Sequence, residues 1–340
     1  MPTAVCLGET MAMLTPEPGV TLDGAATLHV GIGGAESNVA VGLASMGLDA
    51  HWVSRVGQDG FGDRILSELK GHGVDVAGVE IDGARPTGLY VKLPRTETAP
   101  ASVLYYRRGS AASAMSPALL DSPQVAPLLA KAALLHVSGI TAALSEDALA
   151  LLEAVLSRPR GGCKVSFDVN WRPSLWEGRD RSVLRSLANQ ADIVLVGKDE
   201  AEHALGTGDE AEIRALLPDP QTVVVKNEAT SAIALGRSGE REEVPSLLVD
   251  VVEPVGAGDA FAAGYLSGVV LGLDEKSSLR RGHVAAACTL VVPGDHGPLP
   301  DAAALGRILA CSDEAWAGAS VSRHGFSLDG DAFRVEARLP

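Results

Sequence analysis

The reading of this chain turns on the stretch Glu253-Pro254-Val255-Gly256-Ala257-Gly258-Asp259-Ala260-Phe261. A strand-like run at 247–252 leads into it, and a helical pattern over 257–272 leads out. Glycines let a backbone approach an anion closely, and the first turn of a helix offers unpaired N–H groups at the positive end of its dipole. A carboxylate in that field is a poor partner for an anion alone. It suits a site where Asp259 takes a proton from a hydroxyl while the N–H groups hold the phosphoryl group under attack. An acidic residue that merely stabilises its own helix start fits the same residues.

Upstream, strand-like runs at 4–14, 50–56, 133–138, 164–170, 192–196 and 222–226 alternate with helical stretches at 37–46, 146–156, 181–190 and 199–205. Helices at 276–291 and 302–310 follow the decisive turn. This alternation predicts an α/β fold with a mainly parallel sheet covered on both faces. Segments 20–30 and 87–108 break the pattern with antiparallel-type alternation, as in Gly88-Leu89-Tyr90-Val91-Lys92. They predict a small sheet beside the main one, placed as a lid over the carboxyl ends of the parallel strands. Residues beyond 312 are weakly patterned.

The 340 residues are 46% hydrophobic and carry a net charge of −15. That charge argues against a nucleic-acid partner, since phosphate backbones need basic surface. Cys6, Cys163, Cys288 and Cys311 form no CxxC pair, and Cys6 and Cys288 sit in apolar runs as small core residues. A reducing, cytoplasmic compartment is the expectation. Met1-Pro2-Thr3 lacks the basic start of a signal peptide, and no apolar run reaches membrane-spanning length, so no membrane partner is expected.

Two more segments carry polar groups suited to chemistry. Gly31-Ile32-Gly33-Gly34-Ala35-Glu36-Ser37-Asn38 opens the first long helix but has Glu36 where a dinucleotide fingerprint needs its third glycine. Its glycines and Asn38 suit sugar hydroxyls; a helix start capped by Ser37 is the plainer account. In Asp168-Val169-Asn170-Trp171-Arg172-Pro173 the alternation of an extended chain turns Asp168, Asn170 and Arg172 the same way. A polyol or phosphate site, or a solvated strand end, fits that pattern.

Taken together, Gly33-Gly34-Ala35-Glu36-Ser37-Asn38-Val39-Ala40, Arg55-Val56-Gly57-Gln58-Asp59-Gly60-Phe61-Gly62 and residues 254–261 resemble the signatures of the ribokinase-like (PfkB) carbohydrate kinases, in order and over residues 4–310. The resemblance implies a doubly wound, mainly parallel α/β sheet flanked by helices, with a small β-sheet lid. It divides the chain into one kinase domain at 1–312, with a lid at about 15–32 and 86–110, and a C-terminal extension at 313–340. It implies ATP and Mg2+, with Asp259 as catalytic base and Gly256, Ala257 and Gly258 as the anion hole.

Within the family, Tyr105-Tyr106-Arg107-Arg108-Gly109-Ser110-Ala111, Ser138-Gly139-Ile140-Thr141, residues 168–172 and Gly294-Asp295-His296 are similar to the group acting on 2-keto-3-deoxygluconate. That likeness places Gly34, Asn38, Tyr90, Tyr106, Arg108, Arg172 and Asp295 around a sugar acid, whose carboxylate suits planar guanidinium groups. The nucleotide falls to Asn170, Lys226, Glu228, Ser231, Gly256 and Gly258, and the metal, through water, to Glu200. Three positions depart from the family pattern: Gly197 stands where Asn is frequent, Glu253 where Asp is usual, and Glu228 and Ser231 where the nucleotide loop carries glycines. The expected reaction is phosphoryl transfer to the 6-hydroxyl of 2-keto-3-deoxygluconate. The alternatives are 5-dehydro-2-deoxygluconate, fructose or ribose as substrate, or a sugar-binding protein without catalysis. A lid strand with an exposed edge predicts a homo-oligomer, dimer or larger.

Overall fold

The apolar run at 4–14 folds as two strands in two sheets, Thr3–Leu7 (β1) and Met11–Thr15 (β2), broken at Gly8-Glu9-Thr10. The computed structural model describes residues 1–93, 102–329 and 331–333; parts of the expected lid (94–101) and extension (330 and 334–340) lie outside the described residues. The other strands are His29–Gly33 (β3), Asp49–Gly57 (β4), Val79–Asp82 (β5), Leu89–Leu93 (β6), Ser102–Tyr106 (β7), Leu134–Ser138 (β8), Lys164–Asp168 (β9) and Ile193–Gly197 (β10). Thr222–Asn227 (β11), Ser231–Gly236 (β12), Arg241–Pro245 (β13), Leu248–Val249 (β14), Ser320–Ser322 (β15), Gly325–Leu328 (β16) and Asp331–Phe333 (β17) complete the set.

The main sheet has the order β13-β12-β11-β10-β9-β8-β1-β4-β5. It is parallel from β11 to β5, and β12 and β13 add an antiparallel edge. Side chains alternate across a strand. Ala4 and Cys6 therefore pack on one face, with Val39, Phe261, Leu279 and Leu305 from helices Ala35–Ser45, Ala257–Val270, Glu275–Leu290 and Ala302–Leu309. Val5 and Leu7 pack on the other, with Leu151 and Leu184 from Glu146–Ser157 and Ser182–Ala188. Two apolar faces per strand explain the near-continuous hydrophobic runs of the sequence. Helices 257–270 and 275–290 touch backbone to backbone: a Cβ on Gly264 would lie 2.4 Å from the carbonyl oxygen of Arg281.

The small sheet has the order β3-β2-β6-β7, so it includes residues 11–14 that the sequence assigns to the first strand. The expected β-segment at 20–30 is mostly not strand; Leu22–Gly24 is a short 3-10 turn and β3 begins only at His29. Asp59, from the second family-like motif, fastens this sheet to the body. One carboxylate oxygen accepts the N–H groups of Phe61 (3.1 Å) and Gly62 (2.9 Å), capping helix Gly60–Gly71, and the other accepts the N–H of Thr87 at 2.8 Å.

Among the described residues after 312, the weakly patterned stretch forms helix Asp313–Gly318 and strands β15 to β17, which make a sheet of order β14-β15-β16-β17. Trp316 is fully buried and donates its indole N–H to the carbonyl of Pro245 at 2.9 Å. The guanidinium of Arg280 lies 4.8 Å over its ring. The expected strand at 247–252 thus reduces to β14, outside the main sheet. Among the described residues, no helix is long and apolar enough to cross a membrane.

Candidate active site

Helix Ala257–Val270 begins at Gly256, whose φ of +81° lies in the left-handed region that glycine tolerates. A Cβ there would sit 2.9 Å from the Cα and carbonyl oxygen of Asp295, so the turn is shaped for glycine on both counts. The first intrahelical bond runs from the N–H of Ala260 to the carbonyl of Gly256 at 2.9 Å. The N–H groups of Ala257, Gly258 and Asp259 precede it and are free for an anion.

Asp259 sits in this first turn. Its Oδ2 accepts the side-chain amide of Asn38 at 2.9 Å, and the same nitrogen lies 3.3 Å from Asp295 Oδ2. Burial raises the Asp259 carboxyl to about 7, against the opposing pull of Asn38, Arg172 and Lys226. Asp259 is half-buried, so protein encloses most of the group while some of its surface stays open. Burial also raises Asp295, whose Oδ1 is buried without a hydrogen-bond partner.

Beneath the turn lies a charged floor. Lys226, at the end of β11, donates to Asp168 Oδ2 at 3.0 Å, and its ammonium would lie 3.8 Å from a Cβ on Gly258. Burial works against that charge, but Asp168 and Glu200 more than offset it and hold the ammonium above its ordinary value. Glu200 accepts the N–H of Gly197 at 2.8 Å and faces Arg172 Nη1 at 3.7 Å. Its carboxyl is raised by burial. Asn170 stands at φ +40°, its N–H bound to Asp168 Oδ1 at 3.2 Å and its own Oδ1 buried and unpartnered. The strand ends at Asp168 and Asn170 is left-handed, so the extended alternation expected for Asp168, Asn170 and Arg172 does not hold; the ion pairs Lys226–Asp168 and Arg172–Glu200 link this polar cluster instead.

Other expected positions have more structural parts. Gly34 precedes the helix Ala35–Ser45, and a Cβ on it would meet the carbonyl oxygen of Glu9 at 2.4 Å. Ser37 does not cap this helix; its hydroxyl donates to the Gly34 carbonyl at 3.0 Å. Glu36, at the missing glycine, is buried and accepts the hydroxyls of Ser138 and Thr141, both at 2.7 Å, which gives Ser138-Gly139-Ile140-Thr141 an anchoring role. Ser231 is buried at the start of β12, opposite Asn227. Glu228 is exposed in the turn between β11 and β12, at φ +43°.

The small sheet divides its tyrosines. Cross-strand partners share a face, and the register pairs Tyr90 with Tyr105 and Leu89 with Tyr106. Tyr90 faces the site: a Cβ on Gly33 would lie 2.2 Å from its hydroxyl, and burial together with Asp295, Tyr105 and Asp259 raises its phenol. Tyr106 lies on the opposite face and is 59% exposed. Arg108 is exposed, whereas Arg107 is ion-paired with the buried Glu9 and lies 5.7 Å over the ring of Tyr105. Among the described residues, then, Tyr105 and Arg107 share the Tyr90 side, and Tyr106 and Arg108 do not join that cluster. The alternation of β7 was the available signal, but the register against β6 that decides which tyrosine faces Tyr90 is a pairing between strands that alternation alone does not give.

Residues 1–302 match the family described as pfkB family carbohydrate kinase. The chain is 38% identical over 313 residues to the 2-dehydro-3-deoxygluconokinase of Bacillus subtilis, covering 87% of this chain and 92% of that one. It is 29% identical to the 5-dehydro-2-deoxygluconokinase of Bacillus velezensis, over 82% of this chain and 84% of that one. The structure of a sugar kinase from Pyrococcus horikoshii in complex with ATP superposes with a TM-score of 0.75 at 25% identity, covering 86% of this chain and 93% of that one. The chain belongs to the pfkB family of carbohydrate kinases, phosphotransferases that act on an alcohol group.

Proposed function

We propose that this protein transfers the γ-phosphoryl group of ATP to the 6-hydroxyl of 2-keto-3-deoxygluconate. The observation that carries the reading is Asp259: a carboxylate raised to about 7, in the first turn of a helix whose N–H groups are open to an anion. A base with that affinity is matched to taking a hydroxyl proton near neutral pH. The sugar oxygen bonds to the γ-phosphorus as its proton passes to Asp259, and the bond from phosphorus to the ADP oxygen breaks. The N–H groups of Ala257 and Gly258 and the ammonium of Lys226 counter the charge that develops.

The glycine-shaped turn fits a nucleotide's phosphates, and the unpartnered Asn170 Oδ1, an acceptor, suits a water or cation beside them. Glu200 would hold Mg2+ through water, and the ion would neutralise phosphate charge. Tyr90, Asn38, Asp295 and Arg172 are the groups that would meet the sugar, with Arg172, 44% exposed, offered to its carboxylate. The relatives support the sugar-acid class, and 5-dehydro-2-deoxygluconate is the competing substrate. Comparing kcat/KM for the two compounds and for fructose and ribose tests the assignment; a neutral sugar turned over best would sink it.

The edge strand β7 exposes Val103, Leu104, Tyr105 and Tyr106, which supports pairing with a second copy of the chain. Light scattering that returns the mass of one chain would refute it.

A further inference from the structure

Glu253, the acid that precedes the anion-hole turn, has a partner from the small sheet: Lys92 Nζ lies 3.0 Å from its Oε2, with the two side chains 24% and 27% exposed. Lys92 is two residues beyond Tyr90 on β6, so both point the same way, toward the body. The register places Lys92 opposite Val103, at the far end of the β6–β7 ladder from Tyr106, after which Arg107 pairs with Glu9. The sheet is therefore held at two corners, and the Lys92 corner abuts the turn that would receive the phosphoryl group.

We propose that Lys92 is a positioning residue that neutralises Glu253 only while the small sheet covers the site, so that sugar binding beneath Tyr90 strengthens nucleotide binding at residues 256–258. The proposal rests on the reading of this sheet as a lid over the sugar. A carboxylate three residues before Gly256 repels phosphate when bare. With Lys92 in place the repulsion is cancelled and the loop is pinned. A unit charge roughly 10 Å away at an effective dielectric of about 20 changes a binding constant by about ten-fold. Nucleotide then prefers the covered state for an electrostatic reason, and sugar prefers it because Tyr90 rides on the same strand; two ligands that favour one state help each other bind.

The test is calorimetric titration of the Mg2+ complex of β,γ-imido-ATP, with and without a saturating sugar that the wild type phosphorylates. The sugar should tighten nucleotide binding to the wild type by about ten-fold. Lys92→Met should bind nucleotide weakly in both conditions, and Glu253→Gln tightly in both, each with the sugar effect within about two-fold of none. The double variant should resemble Glu253→Gln. A merely structural pair would weaken binding in both single variants, so weak binding by Glu253→Gln overturns the proposal, as does a sugar effect that survives in Lys92→Met. A wild type that phosphorylates no sugar defeats the reading of the site; one that phosphorylates a sugar but shows no coupling defeats this proposal alone.

Discussion

Asn38 donates its side-chain amide to the carboxylate of Asp259 at 2.9 Å, across 221 residues of chain. The bond joins helix Ala35–Ser45 to helix Ala257–Val270 and favours the ionised form of the proposed base. Asn38 lowers the affinity of Asp259 for its proton while burial raises it more, leaving it near 7.

A base must be ionised to work, so kcat/KM should fall as pH drops below about 7, tenfold per unit. Removing the amide in Asn38→Ala takes away a stabiliser of the charged form, and the acid limb should move upward by roughly one pH unit, the scale of a hydrogen bond to a charged group. A pH–rate profile of both proteins measures this. A limb that stays in place would show that another group governs it.

Glu228 stands at φ +43° in an exposed turn, with its carbonyl accepting the hydroxyl of Ser246 at 3.1 Å. A non-glycine residue in this region costs on the order of 1–3 kcal/mol, part of which glycine returns as entropy in the unfolded chain. Glu228→Gly should therefore stabilise the protein by about 1 kcal/mol and raise Tm by roughly 1–3 °C. Thermal melting checks it, and a lower Tm would contradict the strain. Because the side chain is exposed, the KM for ATP should change by less than about three-fold, on the scale of a screened surface charge.

The parallel sheet and the glycine turn that opens helix Ala257–Val270 were legible because their signals are local: buried strands read as apolar runs, and Gly256, Gly258 and Asp259 fall within four residues. What the sequence hid depends on distant partners. The apolar pattern runs on through Glu9, which is buried because Arg107 and Ser110, from beyond β7, close on it. The choice between Tyr105 and Tyr106 hung on the register of β7 against β6, which alternation alone does not give. Residues after 312 pattern weakly because their buried groups, Trp316, Val321, Phe326 and Leu328, are spread over a short helix and short strands, and the Trp316 indole bonds a carbonyl 71 residues earlier. The pairing of Glu253 with Lys92 joins two surface-type residues that no periodicity connects.

The central claim is that Asp259 takes the hydroxyl proton. Its most direct test is single-turnover phosphoryl transfer to 2-keto-3-deoxygluconate by wild type and Asp259→Asn, with sugar binding and thermal melting measured on both. Burial makes the ionised carboxylate unfavourable in the fold, so stability is lost as pH rises from the ordinary carboxylate range through about 7, and the neutral variant should melt higher at pH 8. It should bind sugar within a few-fold of the wild type and transfer phosphate about 10²–10⁴ times more slowly. A folded Asp259→Asn protein that transfers phosphate at a near-normal rate would contradict the account.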